Sequence, residues 1–161
     1  MDFRVGQGFD AHRFAAGEPV AGRPLKVGTL SFPAHAPLEG HSDGDVAAHA
    51  LTDALLTAAG FGDLGTNFGV SRPEFAGAGG EVFLSAAMQM LHEAGWAVIN
   101  ASVTVIGQEP RLGPRYAEAE AALGNILGAP VSFSATTTDR MGFTGNKEGL
   151  AALAICLLRR K

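Results

Sequence analysis

Residues 41–65, HSDGDVAAHALTDALLTAAGFGDLG, begin with polar side chains and pass into a smooth Ala/Leu pattern. That change predicts a loop feeding a buried helix, with Ser42 or Asp43 accepting hydrogen bonds from the amides of its first turn. Residues four apart on a helix lie one above another, so Asp45, His49 and Asp53 share a stripe, while Ala47, Ala50, Leu51, Ala54, Leu55 and Ala58 fill the other faces. An unpaired buried polar group costs about 1–3 kcal/mol. The three polar residues therefore need partners, and a metal ion is one candidate.

The other elements follow from the same patterning. Phe3, Val5 and the glycines of FRVGQGFDAH predict a first strand that delivers Asp10 and His12 to one side, because residues two apart in a strand share a face. LKVGTLSFP predicts a short strand pair turning at Gly28 and Thr29. Residues 60–80 are so rich in glycine that they read as a long surface loop and a candidate lid. Residues 81–94 carry Val82, Phe83, Ala86, Ala87, Met90 and Leu91 at helical spacing and stop at Gly95. Trp96–Ile106 alternates and is rich in β-branched residues, which predicts a strand. A helix over Tyr116–Leu127, stopped by Gly128 and Pro130, precedes a strand from Val131. TDRMGFTGNKEG reads as a loop. Gly149–Arg160 reads as a closing apolar helix whose Arg159, Arg160 and Lys161 suit the negative end of its dipole. The alternation, without internal repeats, predicts a single α+β domain over residues 1–161, with a mixed β-sheet and helices packed mainly on one face.

Composition narrows the function. Hydrophobic residues make up 47% of the 161 residues and charged residues 17%, with a mean hydropathy of +0.15. Such a surface has apolar area to cover, which oligomerisation would do. A net charge of −4 argues against a nucleic-acid partner, yet leaves room for a local basic pocket that takes one phosphate group. The lone Cys156, set in LAALAICLL, excludes an intrachain disulfide and a Cys-rich zinc module, so any metal site uses histidine and carboxylate. The N-terminal MDFRVGQGFDAH has no signal-peptide or transit-peptide pattern, and residues 150–158 fall short of the about 20 needed to span a bilayer. A cytoplasmic protein with no membrane partner is the expectation.

Asp10, His12 and His49 are ligand types that zinc accepts, and three of them leave a fourth position for water or substrate. D-x-H alone is a weak motif, and a lone histidine is more often structural, which is the reading for His35 and His92. His41, Ser42 and Asp45 stand at the start of the predicted helix, where free amides favour an anion such as phosphate; the competing reading is simple capping by Ser42 and Asp43. Asp63 either bonds a polyol hydroxyl or stabilises a turn. The run ATTTD, ending in Asp139, offers hydroxyls and a carboxylate that suit a diphosphate and a hard cation such as Mg²⁺, although threonines in a strand also follow from β-propensity alone.

Three segments, GQGFDAHRF, HSDGDVAAHALTDALLTAAGFGDLG and ATTTDRMGFTGNKEG, in this order and spacing, resemble the 2-C-methyl-D-erythritol 2,4-cyclodiphosphate synthase family of non-mevalonate isoprenoid biosynthesis. The resemblance spans essentially the whole chain. It implies a phosphorus–oxygen lyase that cyclises 4-diphosphocytidyl-2-C-methyl-D-erythritol 2-phosphate and releases CMP, built as a homotrimer with active sites between neighbouring subunits. Asp10, His12 and His49 would hold Zn²⁺ or another divalent transition metal, with Asp10 and His12 also bordering the substrate. His41 and Ser42 would contact substrate phosphate, and Asp63, Gly65 and Phe68 the methylerythritol part. Ala135, Thr136, Thr137 and Asp139 would take the cytidine diphosphate, Asp139 with its Mg²⁺ or Mn²⁺, and Phe143 would lie nearby. His41 and Thr137 are the implied catalytic residues. GQEPRL, with Gly107, Pro110, Arg111 and Leu112, matches the family's cytosine-facing segment, with Arg111 where lysine is common.

Three departures stand out. Asp139 replaces a frequent glutamate, GVSRP follows Phe68 where an acidic stretch is common, and Asn146 replaces a frequent arginine. The last weighs against the isoprenoid diphosphate that family members can hold on the trimer axis. Two other readings use the same pocket: a non-catalytic nucleotide-binding or regulatory trimer, and a metal-dependent phosphoesterase whose product would be heavier by one water.

Overall fold

A strand that presents glycine to its covering helix brings two backbones together, and this contact organises the molecule. The computed structural model of the chain describes residues 2–16, 22–69, 72, 75 and 77–161. Its strands are β1 (Phe3–Arg13), β2 (Leu25–Val27), β3 (Leu30–Phe32), β4 (Trp96–Ile106), β5 (Val131–Thr136) and β6 (Gly149–Arg160). Its helices are α1 (Val46–Ala59), α2 (Leu64–Phe68), α3 (Gly80–Glu93), α4 (Tyr116–Leu127) and the short α5 (Gly142–Gly145). One four-stranded sheet runs β1-β6-β4-β5, antiparallel except for the parallel β4–β5 pair, and β2–β3 form a separate hairpin. The hairpin turns at Gly28 and Thr29 as the patterning predicts, both with positive φ. The α+β architecture, with α1, α3 and α4 on one face of a mixed sheet, is the expected one.

The covered face is read in rows across the register. Gly6 pairs with Cys156 and Gly8 with Ala154 across β1 and β6, and the rows continue on β4 as Ala101 and Val103. These small residues leave α1 free to settle directly on β1. A Cβ at Gly6 or Gly8 would overlap the α1 backbone at Ala54 and Ala50, so nothing larger than hydrogen fits. Farther along the same face β1 carries Asp10 and His12, as the two-residue spacing requires.

β6 is the main correction. The predicted closing helix is a strand, paired on both sides along its length, with β1 and with β4. Its apolar run serves two faces: Ala152, Ala154 and Cys156 point into the core, while Leu153 and Ile155 point to the open face of the sheet. A run that is apolar on both faces loses its alternation, and its alanines and leucines then read as helix. Cys156 packs in the core as a small hydrophobe; burial pushes its thiol up to about 11, and it donates to the Ala54 carbonyl at 3.2 Å.

Local chemistry also differs at the helix starts. Asp45, not Ser42 or Asp43, caps α1, accepting from Ala47 and Ala48 at 3.1 and 3.0 Å. It also accepts from Gly28 and Thr29 at 2.8 and 2.6 Å, which ties the hairpin to the helix. Asp45 therefore turns away from the stripe predicted with His49 and Asp53, and its carboxylate, fully buried, takes amides that a phosphate would need. Asp43 instead caps α3, accepting from Gly80 at 2.8 Å. The predicted loop over 60–80 contains α2, capped by Asp63 and held by Asp53, which accepts from Leu64 at 2.6 Å. Its lid reading falls partly on residues 70, 71, 73, 74 and 76, outside the described residues.

Candidate metal centre and substrate cavity

The approach of α1 to β1 brings His49, buried in the first turn of the helix, over Asp10. His49 Nδ1 lies 3.0 Å and His12 Nε2 3.1 Å from Asp10 Oδ2. One ligand atom from each of the three residues falls within 4.8 Å of the others. Tetrahedral zinc with bonds of about 2.0–2.2 Å sets its ligand atoms about 3.3 Å apart, so this cluster needs only small adjustments to close on an ion.

The remaining ring nitrogens decide the donor set. His12 Nδ1 is 2.6 Å from the Glu39 carbonyl, which can only accept, so the proton sits there and Nε2 keeps its lone pair. His49 Nε2 is 3.1 Å from Ser42 Oγ, leaving Nδ1 to face Asp10. A carboxylate and two lone pairs thus converge, an arrangement that a divalent cation satisfies. Without one, protons substitute. Burial pushes the Asp10 carboxyl up, but hydrogen bonds and charge from His12 and His49 outweigh it and hold the group at about 2. The hydrogen bond to Asp10 correspondingly raises His12 above the ordinary imidazole value.

The cluster opens into a cavity of about 390 Å³. His41, Ser42 and Asp53 line its polar side, and Leu64, Gly65, Phe68, Phe75 and Phe83 its apolar side, with Arg72 also on the wall. Phe68, Phe75 and Phe83 form one aromatic group with centroids 4.9–5.8 Å apart, and Phe83 meets His49 edge-on at 5.5 Å. The cavity can seat a polyanion against a cation while an aromatic wall keeps water from part of it.

A model of the YgbB family matches residues 3–159. The chain belongs to the YgbB family. Among its relatives, a 2-C-methyl-D-erythritol 2,4-cyclodiphosphate synthase from Cutibacterium acnes is 50% identical over 161 residues, covering 99% of this chain and 93% of that protein. The structure of the bifunctional IspDF from Campylobacter jejuni superposes with a TM-score of 0.90 at 35% identity, covering 99% of this chain and 43% of that one. A CDP-bound form of 2C-methyl-D-erythritol-2,4-cyclodiphosphate synthase superposes with a TM-score of 0.85 at 34% identity, covering 97% of this chain and all of that one.

Of the residues predicted from sequence and from the resemblance to the cyclodiphosphate synthase family, the cavity gathers Asp10, His12, His41, Ser42, His49, Gly65 and Phe68. Asp63 is exposed at the cap of α2 and does not line it. A second group collects elsewhere. The parallel pairing of β4 with β5 sets Ile106 opposite Thr136, and Gly107 donates to the Thr136 carbonyl at 3.0 Å, so the GQEPRL and ATTTD segments leave the sheet side by side. Ala135, Thr136, Thr137, Asp139, Gly107, Pro110, Arg111 and Leu112 lie in this group and not on the cavity wall of the same chain. Pro110 and Leu112 are buried, which leaves their backbone rather than their side chains for a ligand. Phe143, near Ala11, His12 and Arg13, stands on another side of His12. Sequence reasoning did not single out Phe75, Phe83 and Arg72 for the site; only their gathering around one cavity, with α2 and α3 packed on α1, reveals them.

Proposed function

We infer that the chain catalyses the intramolecular cyclisation of 4-diphosphocytidyl-2-C-methyl-D-erythritol 2-phosphate, with release of CMP, in isoprenoid biosynthesis. The observation that carries this reading is the convergence of Asp10, His12 and His49 at the floor of a cavity with polar and aromatic walls. The 2-phosphate oxygen bonds to the β-phosphorus of the diphosphate, and the bond from that phosphorus to the oxygen of CMP breaks. No water enters the product. The attacking oxygen is already ionised, so no side chain needs to remove a proton. The obstacles are repulsion between polyanions and the entropy of folding the substrate back on itself.

The chain's residues address both. Asp10, His12 and His49 would hold a divalent ion, zinc or a similar transition metal, which when bound supplies positive charge and polarises a phosphoryl oxygen. His41 and Ser42 hold the substrate phosphate from one side and Arg72 adds a cation at the wall. Phe68, Phe75 and Phe83 pack on the methylerythritol carbons and exclude water that would divert cyclisation to hydrolysis.

The cytidine diphosphate half falls to Thr137, Asp139 and the 107–112 segment, with Asp139 serving a Mg²⁺ or Mn²⁺ on the diphosphate. Because those residues do not line the cavity of their own chain, a neighbouring copy supplies them. The open face of the sheet supports such an assembly: Phe3, Val5, Phe9, Leu153 and Ile155 are 37–69% exposed there, an apolar patch that a folded monomer would leave wet. A closed trimer covers that patch and joins the two half-sites. A His49→Ala variant tests the reading: it folds and assembles, binds Zn²⁺ at least about 100-fold more weakly, and releases almost no CMP. Cyclic product formed at the normal rate by a zinc-free variant would refute it.

A further inference from the structure

Ser42 has a second task that its contact with substrate does not explain. Its Oγ lies 3.1 Å from His49 Nε2, and the Gly44 amide approaches the same oxygen at 3.5 Å. For His49 Nδ1 to offer a lone pair to a cation held beside Asp10, the single proton of the neutral ring must sit on Nε2, so Ser42 then accepts it. With both lone pairs of the hydroxyl turned to N–H groups, its one hydrogen is left to donate. Ser42 lines the cavity, where the ligand that matches a donated O–H is an anionic oxygen.

We propose that Ser42 is a positioning residue for the metal, acting through His49: it sets the tautomer of that ring and links the metal to the substrate phosphate through one hydrogen-bond chain. The inference rests on the cyclase reading for the identity of the anion. The chain runs from phosphate oxygen to Ser42 O–H, from Ser42 Oγ to His49 Nε2–H, and across the ring to Nδ1. Hydrogen bonds in series polarise one another, so an acceptor at the Ser42 hydrogen strengthens its oxygen as an acceptor and makes Nδ1 a better donor to a cation. Linkage makes the effect reciprocal: whatever phosphate adds to metal affinity, metal adds to phosphate affinity. Asp43 Oδ1, at 3.8 Å from the same nitrogen, is too far to take over, and its carboxylate is committed to the amides of Asp45 and Gly80. His12 has no such link, since its outer partner is a backbone carbonyl that no cavity ligand can modulate.

The experiment measures Zn²⁺ alone on the full chain, stripped of metal and free of substrate, by competition with a chromophoric chelator. Ser42→Ala should weaken Zn²⁺ by about 10–100-fold, and Ser42→Thr, which keeps the hydroxyl, should recover most of it. A residue that only touched phosphate would leave this number unchanged, so equal affinity in wild type and Ser42→Ala overturns the inference. Added inorganic phosphate should then tighten Zn²⁺ more in wild type than in Ser42→Ala, and equal tightening in both removes the link to substrate. Should Ser42→Ala not fold, the ¹⁵N shifts of His49 in the Zn²⁺-loaded wild type decide: Nδ1 on the metal with a proton on Nε2 is required, and metal on Nε2 sinks the proposal. A wild-type chain that binds no Zn²⁺ would instead remove the proposed function, which keeps the two failures apart.

Discussion

Replacing Gly8 by alanine should damage the metal centre without touching any of its ligands. The added Cβ would stand 2.7 Å from Ala54 N and 2.9 Å from Ala50 C, and closer still to the Ala50 carbonyl oxygen, where ordinary contact begins near 3.4 Å. Against Ala54 N alone the shortfall is 0.7 Å (3.4 less 2.7). Every clashing atom is helix backbone, so no side chain can swing away, and α1 must lift from β1 as a body. His49 rides on α1 and Asp10 on β1, so their 3.0 Å separation opens by a similar amount. Overpacking of this kind costs about 1–3 kcal/mol, and a misplacement near 1 Å costs about 100-fold in rate. In a chain of this size that is about 2–12 °C in Tm, compared at one protein concentration. Gly113→Ala is the control, because no atom lies within 4 Å of its added methyl group and its stability should change by less than about 0.5 kcal/mol. Thermal melts and Zn²⁺ competition on both variants give the answer. If Gly8→Ala melts and binds Zn²⁺ like wild type, the backbone contact is not what sets the site.

Three further outcomes follow from the same geometry. Ile155→Asp puts a charge on the open sheet face and should yield a monomer in analytical ultracentrifugation that still binds Zn²⁺ but no longer cyclises; an active monomer would count against the shared site. Arg72→Gln should raise KM about 10-fold with little change in kcat, as expected for a cation that holds phosphate before and during reaction, and an unchanged KM would exclude that contact. The pH behaviour has a definite sign. His12 is raised, so its pairing with Asp10 stabilises the metal-free protein fully below the ordinary 6.5 and fades as pH rises through the raised value. Asp10 is depressed, so its share is present above 3.8 and is lost as pH falls toward about 2. The metal-free chain should therefore gain most from this pair between those ordinary values. Zn²⁺ affinity should drop as pH falls through the raised His12 value, because each proton must leave before the metal binds. Flat Zn²⁺ affinity from pH 8 to 5.5 would contradict the assigned ligands.

Local pattern alone determined the ligand types, the two-residue spacing that puts Asp10 and His12 on one face, and the bounds of β4 and α4. These depend on periodicity, which any stretch of chain carries within itself. The motifs also carried the family, because the ligand-bearing segments keep their order. What tertiary structure decided is everything that needs a distant partner. Whether Gly149–Arg160 became strand or helix turned on the hydrogen bonds that β1 and β4 offer it, since its apolar run satisfies either form. Asp45 could have faced the metal or the hairpin, and four amides from two elements drew it to the hairpin. The pairing of His49 with Asp10, 39 positions earlier, rests on glycines that matter only because a helix backbone lies against them. A side chain's chemistry is written in its own residue, but its direction is set by whatever packs on it, and that neighbour can come from anywhere along the chain.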